Sequence, residues 1–264
     1  MESADFTSIT IEREQEILRI VLDRPDSSIN AVNGAFHDDL AKLFRMLKQE
    51  HEPGAVVLLG RGKAFSAGGD FNWFERHQSA RGAFDLQRDA RQLIWDLLDV
   101  ELPIVTAIHG YAMGLAANIA LFTDVIFMGE SAQIADPHVK VGVVAGDGGA
   151  VAWPLAIGPA RAKEYLMTGD PLSAVEAERI GLVNHVVPDD QLEERAMAFA
   201  RRLAAGAPMA VRFTKMSVNK LVKEALASAF DLSLAYELTT FQSDDHKEAV
   251  AAFLGKRSPT FTGR

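Results

Sequence analysis

The chain has 264 residues, 48% of them hydrophobic, and its 27 Lys and Arg against 36 Asp and Glu give a formal charge of -9. That length can bury one large core, and the acidic balance argues against nucleic acid or an anionic membrane as the main partner. The absence of cysteine excludes disulfides, thiolate catalysis and thiolate metal sites together.

The opening Met1-Glu2-Ser3-Ala4-Asp5 lacks the basic-then-apolar order of a secretory signal. No apolar run approaches the roughly 20 residues that span a bilayer, so a cytoplasmic protein with no membrane partner is expected. Thr7 to Arg13 and Glu16 to Asp23 alternate apolar and polar residues like a hairpin turning at Glu14-Gln15. Phe36, Leu40, Leu43, Phe44 and Leu47 then keep a helical period. Pro53-Gly54 ends that segment, Ala55 to Leu59 reads as a buried strand, Asp85 to Val100 as a helix and Ile104 to Ile108 as another strand. A third unit follows with strands at Val125 to Met128 and Ala132 to Ile134 and a helix from Gly148 to Ile157. The recurrence of strand, strand and helix predicts an α/β fold of stacked ββα units whose strands make layered sheets.

From Ala160 onward helices dominate, at Ala160 to Met167, Ala174 to Ile180, Leu192 to Ala205, Ala210 to Lys220 and Lys223 to Phe241, with one extended piece at His185 to Val187. Helical character thus takes over near Pro159.

Two glycine-rich turns, Gly62 to Asp70 and Gly110 to Asn118, each follow a buried-strand signal. Glycine lets backbone approach a ligand closely, so two such turns side by side could aim two peptide N–H groups at one oxygen. Either turn alone reads as an ordinary strand-to-helix connection. The pair, with these flanks, favours an oxyanion hole made of main chain.

At these residues the chain resembles the crotonase superfamily, the enoyl-CoA hydratase/isomerase family. The resemblance is carried by Leu22-Asp23-Arg24-Pro25 with Asn30-Ala31, both glycine turns, Leu166-Met167-Thr168-Gly169, Ala177 to Val183 and the tail Phe253 to Phe261. It implies a crotonase-like spiral of ββα units over residues 1–200 and a C-terminal helical trimerisation region over 201–264, building a homotrimer or a hexamer. It implies oxyanion donors at the backbone N–H of Gly69 and Leu115, and an acyl-CoA substrate contacted by Arg24, Ala64, Ala67, Gly68, Asp70, Trp73 and, from a neighbouring subunit, Lys256. Read singly, Arg24 and Lys256 are also compatible with ordinary surface charge. Coenzyme A would arrive as part of the substrate thioester, with no resident cofactor.

The chain departs from the family at its acid and base. Typical hydratases carry two glutamates, and their positions here hold Asn118 and His138. An amide cannot serve as a base near neutrality. Nine residues beyond His138, Asp147 lies in Val143-Val144-Ala145-Gly146-Asp147-Gly148-Gly149, where several branches of the superfamily place a catalytic aspartate. The pair of His138 and Asp147 most resembles a branch that hydrolyses carbon–carbon bonds of cyclic diketones. Asp147 is expected to act on a water through His138, with Asn118 positioning it. Asp147 could equally cap the following helix, and His138 could be a solvated loop histidine.

His109 reads as a structural strand-end residue and His37 has no evident partner. Phe71, Trp73 and Phe74 are bulky enough to wall an acyl pocket or to pack under a loop. No His, Asp and Glu spacing makes a metal site. The leading expectation is hydration or isomerisation of an enoyl-CoA through a thioester enolate. The alternatives are hydrolysis of a β-diketone and a catalytically silent protein that binds CoA esters.

Overall fold

The computed structural model describes residues 1–70 and 80–264. Trp73, expected at the acyl group, lies outside the described residues, as do Phe71 and Phe74. Strand β1 (Ile9–Glu14) pairs antiparallel with β2 (Ile17–Leu22), so the turn falls at Gln15-Glu16, one residue later than expected. Gln15 makes it possible by taking φ 54°.

Beyond β2 every pairing in this sheet is parallel: β3 (Ala55–Gly60), β4 (Ile104–Ile108), β6 (Val125–Gly129) and β9 (His185–Val187), in the order β1-β2-β3-β4-β6-β9. Helix α1 (Gly34–Leu47) connects β2 to β3, and α2 (Ala80–Leu98) leads into β4. Alternate residues of a strand face opposite sides, and both sides are buried here, which is why the strands read as unbroken apolar runs. Leu18, Ile20, Val56, Leu58 and Ile104 join α1 and α2 in the main core. Ile17, Val21, Val57, Leu59 and Val105 face a smaller core closed by Leu192, Ala196, Met197 and Ala200 of α7 (Leu192–Ala204).

A second, smaller sheet holds β5 (Tyr111–Met113), β7 (Gln133–Ala135) and β8 (Leu172–Ser173). The second glycine turn therefore contains a strand, followed at once by α3 (Leu115–Leu121). The first glycine turn is laced into this layer: Ser66 N donates to Tyr111 O (3.0 Å), Met113 N to Ser66 O (3.1 Å) and Val32 N to Gly68 O (2.7 Å). Helices α4 (Gly149–Ile157), α5 (Pro159–Thr168) and α6 (Ala174–Arg179) follow.

The expected boundary after residue 200 falls inside α7. The two helices expected at Ala210 to Lys220 and Lys223 to Phe241 are a single one, α8 (Pro208–Phe241). No glycine or proline lies between Ala210 and Phe241 to break it. It packs on α2 and α4, and α9 (Asp244–Leu254) follows. Among the described residues, no helix is long and apolar enough to cross a membrane.

Candidate active site

The two glycine turns emerge from the C-terminal ends of neighbouring parallel strands, the usual end for ligands in such sheets. Asn30 clips the first turn in place. It is buried, its Nδ2 donates to the carbonyls of Arg61 (2.8 Å), Ala64 (3.1 Å) and Phe65 (3.2 Å), and its own carbonyl accepts from Ser66 Oγ (2.6 Å). Gly68, at φ +82°, precedes Gly69, and Gly114, at φ +55°, precedes Leu115. Each donor thus follows a glycine in a conformation that an L side chain resists. Among the described residues, neither the Gly69 nor the Leu115 N–H donates to another group. Both residues line one pocket with His138, Asp147 and Glu237.

The titratable groups come from three separate segments. His138 opens a short 3-10 turn (His138–Val141) after Pro137, and its Nδ1 is bonded to Asp136 Oδ1. Asp147 is not the cap of α4, because Gly148 at φ 122° takes that position. Its carboxylate instead reaches Asn118 Nδ2 at 2.6 Å and His138 Nε2 at 3.4 Å. Glu237 on α8 brings Oε1 to 3.9 Å from the same Nε2.

Glycines allow this convergence. A Cβ at Gly146 would meet Glu237 at 2.5 Å, and one at Gly149 would strike the Asp136 carboxylate. Asn118 is fully buried behind the cluster. It donates to Asp136 (2.9 Å) as well as Asp147 and accepts from Trp153 Nε1 (3.1 Å). Its expected place on a water is thus taken by two carboxylates; it holds them side by side.

Burial raises the Asp147 carboxyl from 3.8 to about 6, with Asp136 adding to the rise and His138 and Asn118 opposing it. Burial also pushes Glu237 well above its ordinary value, and the charges of Asp147 and Asp136 add to that. Burial opposes charge on His138, but Asp136 and Asp147 outweigh it and hold the imidazole protonated well above its ordinary value. Burial would raise Asp136, yet the charge and hydrogen bond of His138, with Asn118, keep it below the usual range. The surroundings thus raise Asp147 to about 6 and favour the protonated form of Glu237, environments that suit a base and an acid.

Asp136, His138 and Asp147 also have potential metal-ligand atoms within 4.8 Å of one another, a grouping that spacing along the chain did not suggest. Asp136 and Asp147 already accept from Asn118, and His138 joins them, so the donor set fits proton transfer better than a metal cradle.

The model of the family described as enoyl-CoA hydratase/isomerase matches residues 12–264. The chain belongs to the enoyl-CoA hydratase/isomerase family. It is 32% identical over 259 residues to a probable enoyl-CoA hydratase of Mycobacterium bovis, covering 98% of this chain and 99% of that one. The crystal structure of an enoyl-CoA hydratase/isomerase from Mycobacterium paratuberculosis matches with a TM-score of 0.88 and 36% identity, over 93% of this chain and 98% of the other. A β-diketone hydrolase from the cyanobacterium Anabaena, bound to (S)-3-oxocyclohexyl acetic acid, matches with a TM-score of 0.85 and 28% identity, over 90% and 96%.

Within this family member the remaining expected residues separate. Ala67 and Gly68 line an adjoining pocket with Gly69, and Ala64 is buried beneath the turn. Arg24 engages Asp26 (2.7 Å), the Ala31 carbonyl (2.6 Å) and Asp70 (3.1 Å), so it and Asp70 brace the turn. Lys256 is exposed in the tail, at φ 51°. His109 meets the Gly62 carbonyl (3.2 Å), while His37 is buried and lines the pocket. Asp136 and Glu237 were not singled out from sequence. Asp136 lay two residues before His138, a readable signal, whereas nothing local marks Glu237 on its helix.

Proposed function

We propose that this protein is an acyl-CoA enzyme that works through a thioester enolate, hydrating or isomerising an enoyl-CoA. The carrying observation is that the peptide N–H groups of Gly69 and Leu115 line one pocket with the carboxyls of Asp147 and Glu237, both raised by burial. In the hydration reading, the thioester oxygen sits between the N–H groups of Gly69 and Leu115. Asp147 takes a proton from water as the oxygen of that water bonds to the β-carbon. The π electrons move onto the thioester oxygen, and Glu237 gives its proton to the α-carbon. Water has then been added across the double bond. Asp147 now holds a proton that Glu237 lacks, and the protonated His138 Nε2, 3.4 Å from one and 3.9 Å from the other, stands where it can give its own proton to Glu237 and then take the one on Asp147. Donors aimed at the developing oxyanion are each worth on the order of 10²-fold in rate.

A second reading is hydrolysis of a β-diketone, favoured by the contact of His138 with Asp147 and by the commitment of Arg24 to Asp26 and Asp70 instead of a free anion site. There the water activated by Asp147 would attack a ring carbonyl. The carbon–carbon bond would break to an enolate held by Gly69 and Leu115, and Glu237 would protonate its carbon. Exposed Leu232, Tyr236, Phe253 and Leu254 on α8 and α9 support self-association of the chain in either reading.

Crotonyl-CoA and butyryl-CoA in deuterated water, followed by mass spectrometry, test the first reading: water addition or α-deuteration is expected. No exchange with any CoA ester, together with cleavage of cyclohexane-1,3-dione, would give the second reading the site. Acetoacetyl-CoA at about 100 times its dissociation constant should also stabilise the fold by roughly 2.7 kcal/mol if CoA esters bind.

A further inference from the structure

The pocket of the reacting centre has a second lobe. The first is lined by Leu86, Ala90, Leu234 and Leu238. The adjoining one is lined by Met113, Val141, Val143 and His246, and both share Gly69, His138 and Phe241. A substrate whose carbonyl lies at Gly69 would therefore send one limb into each lobe. The first offers that limb apolar side chains beyond the catalytic groups, and the second offers a histidine that proton transfer does not use.

His246 is held in one orientation. It sits in the first turn of α9, buried, with its N–H on Ser243 Oγ (3.0 Å) and its ring edge-on to Phe241 at 5.0 Å and 90°. Its Nδ1 lies 2.7 Å from the Val141 carbonyl, which can only accept, so Nδ1 carries the proton and Nε2 is a bare acceptor. Burial lowers its proton affinity despite that carbonyl, keeping the ring neutral. Among the described residues Nε2 has no partner, and it is not sealed from open space.

We propose that His246 is a specificity-determining residue whose Nε2 accepts a hydrogen bond from an O–H or N–H on the substrate limb in the second lobe. The proposal deepens the enolate reading, which supplies the carbonyl position from which the limb is measured. The donor is a hydroxyl on the acyl chain or an amide N–H of the thioester arm. An apolar limb would leave the imidazole nitrogen desolvated and unpaired, a cost that a donor-bearing limb avoids.

Competitive dissociation constants for two matched pairs test this in wild type, His246→Leu and His246→Gln. The first pair is 4-hydroxybutyryl-CoA with butyryl-CoA. The second is S-butyryl-N-acetylcysteamine with ethyl thiobutyrate, which lacks the amide. Wild type should prefer the donor-bearing member of one pair by about tenfold, His246→Leu should lose that preference, and His246→Gln, which keeps an acceptor, should restore part of it. A purely structural histidine would weaken both members alike and leave both ratios unchanged, which overturns the proposal. Nitrogen-15 spectra of wild type give a readout that needs no variant: the Nε2 resonance should move with the donor-bearing ligand and not with its partner. An unmoved resonance overturns the proposal equally. Neither pair measures turnover, so failure of the enolate reading shows separately, as no α-deuteration in wild type.

Discussion

The two halves of the candidate site are built from different materials. The proposed oxyanion half is main chain: Gly69 and Leu115 each follow a positive-φ glycine, on turns tied together through Ser66, Tyr111 and Met113. The acid–base half is side chain, drawn from Asp136 and His138, from Asp147 and from Glu237 on a helix far along the chain. A main-chain device needs only local backbone geometry and can persist while the chemistry changes. The side-chain half can be exchanged residue by residue, which the resemblance implies for Asn118 and His138, expected as glutamates in a typical hydratase.

The contrast sharpens first at Asp147. Asp147→Asn keeps the side-chain shape but removes the base, so kcat/KM should fall on the order of 10³-fold while the affinity for acetoacetyl-CoA changes little. Retained turnover would take Asp147 out of the chemistry. The main-chain half should respond less. Gly68→Ala sets a Cβ 3.0 Å from the Met113 carbonyl at φ +82° and should tilt the following Gly69 N–H, lowering kcat on the order of 10²-fold. If kcat is unchanged while Asp147→Asn is dead, the turn is only a turn.

The same division explains what could be read from the sequence. Glycine turns after buried strands are local signals, and Gly62 to Asp70 and Gly110 to Asn118 do follow β3 and β4 and bond to each other. Strands β5 and β8, of three and two residues, are too short to show a period, so the second layer was only partly legible. The sequence reads α8 as two helices separated at Leu221-Val222, although neither residue stops a helix and the structure runs through them unbroken. Glu237 could not be found by spacing, because its meeting with Asp147 depends on α8 crossing Gly146. There the missing side chain lets Ser233 Oγ reach the Gly146 carbonyl at 3.1 Å. His138 was legible as a departure from a pattern, but its bond to Asp136 needed the turn after Pro137.

The acid–base half should also show its electrostatics in pH dependence, the smallest effect. If Asp147 works ionised, kcat/KM should rise about tenfold per pH unit below its titration near 6 and then level off. Stability should move the other way. The native carboxyl keeps its proton up to about 6, whereas an unfolded one loses it near 3.8, so the native state binds more protons between those values. Stability from this group is therefore complete below the lower value and is lost as pH rises through the upper one. Asp147→Asn cannot ionise and escapes that loss. In urea unfolding it should match wild type near about pH 4 and exceed it by up to about 3 kcal/mol near about pH 7.5. Equal stability at both pH values would mean that Asp147 ionises like an ordinary carboxylate. The burial that prepares it as a base would then be missing, and the acid–base half would have to be sought elsewhere in the pocket.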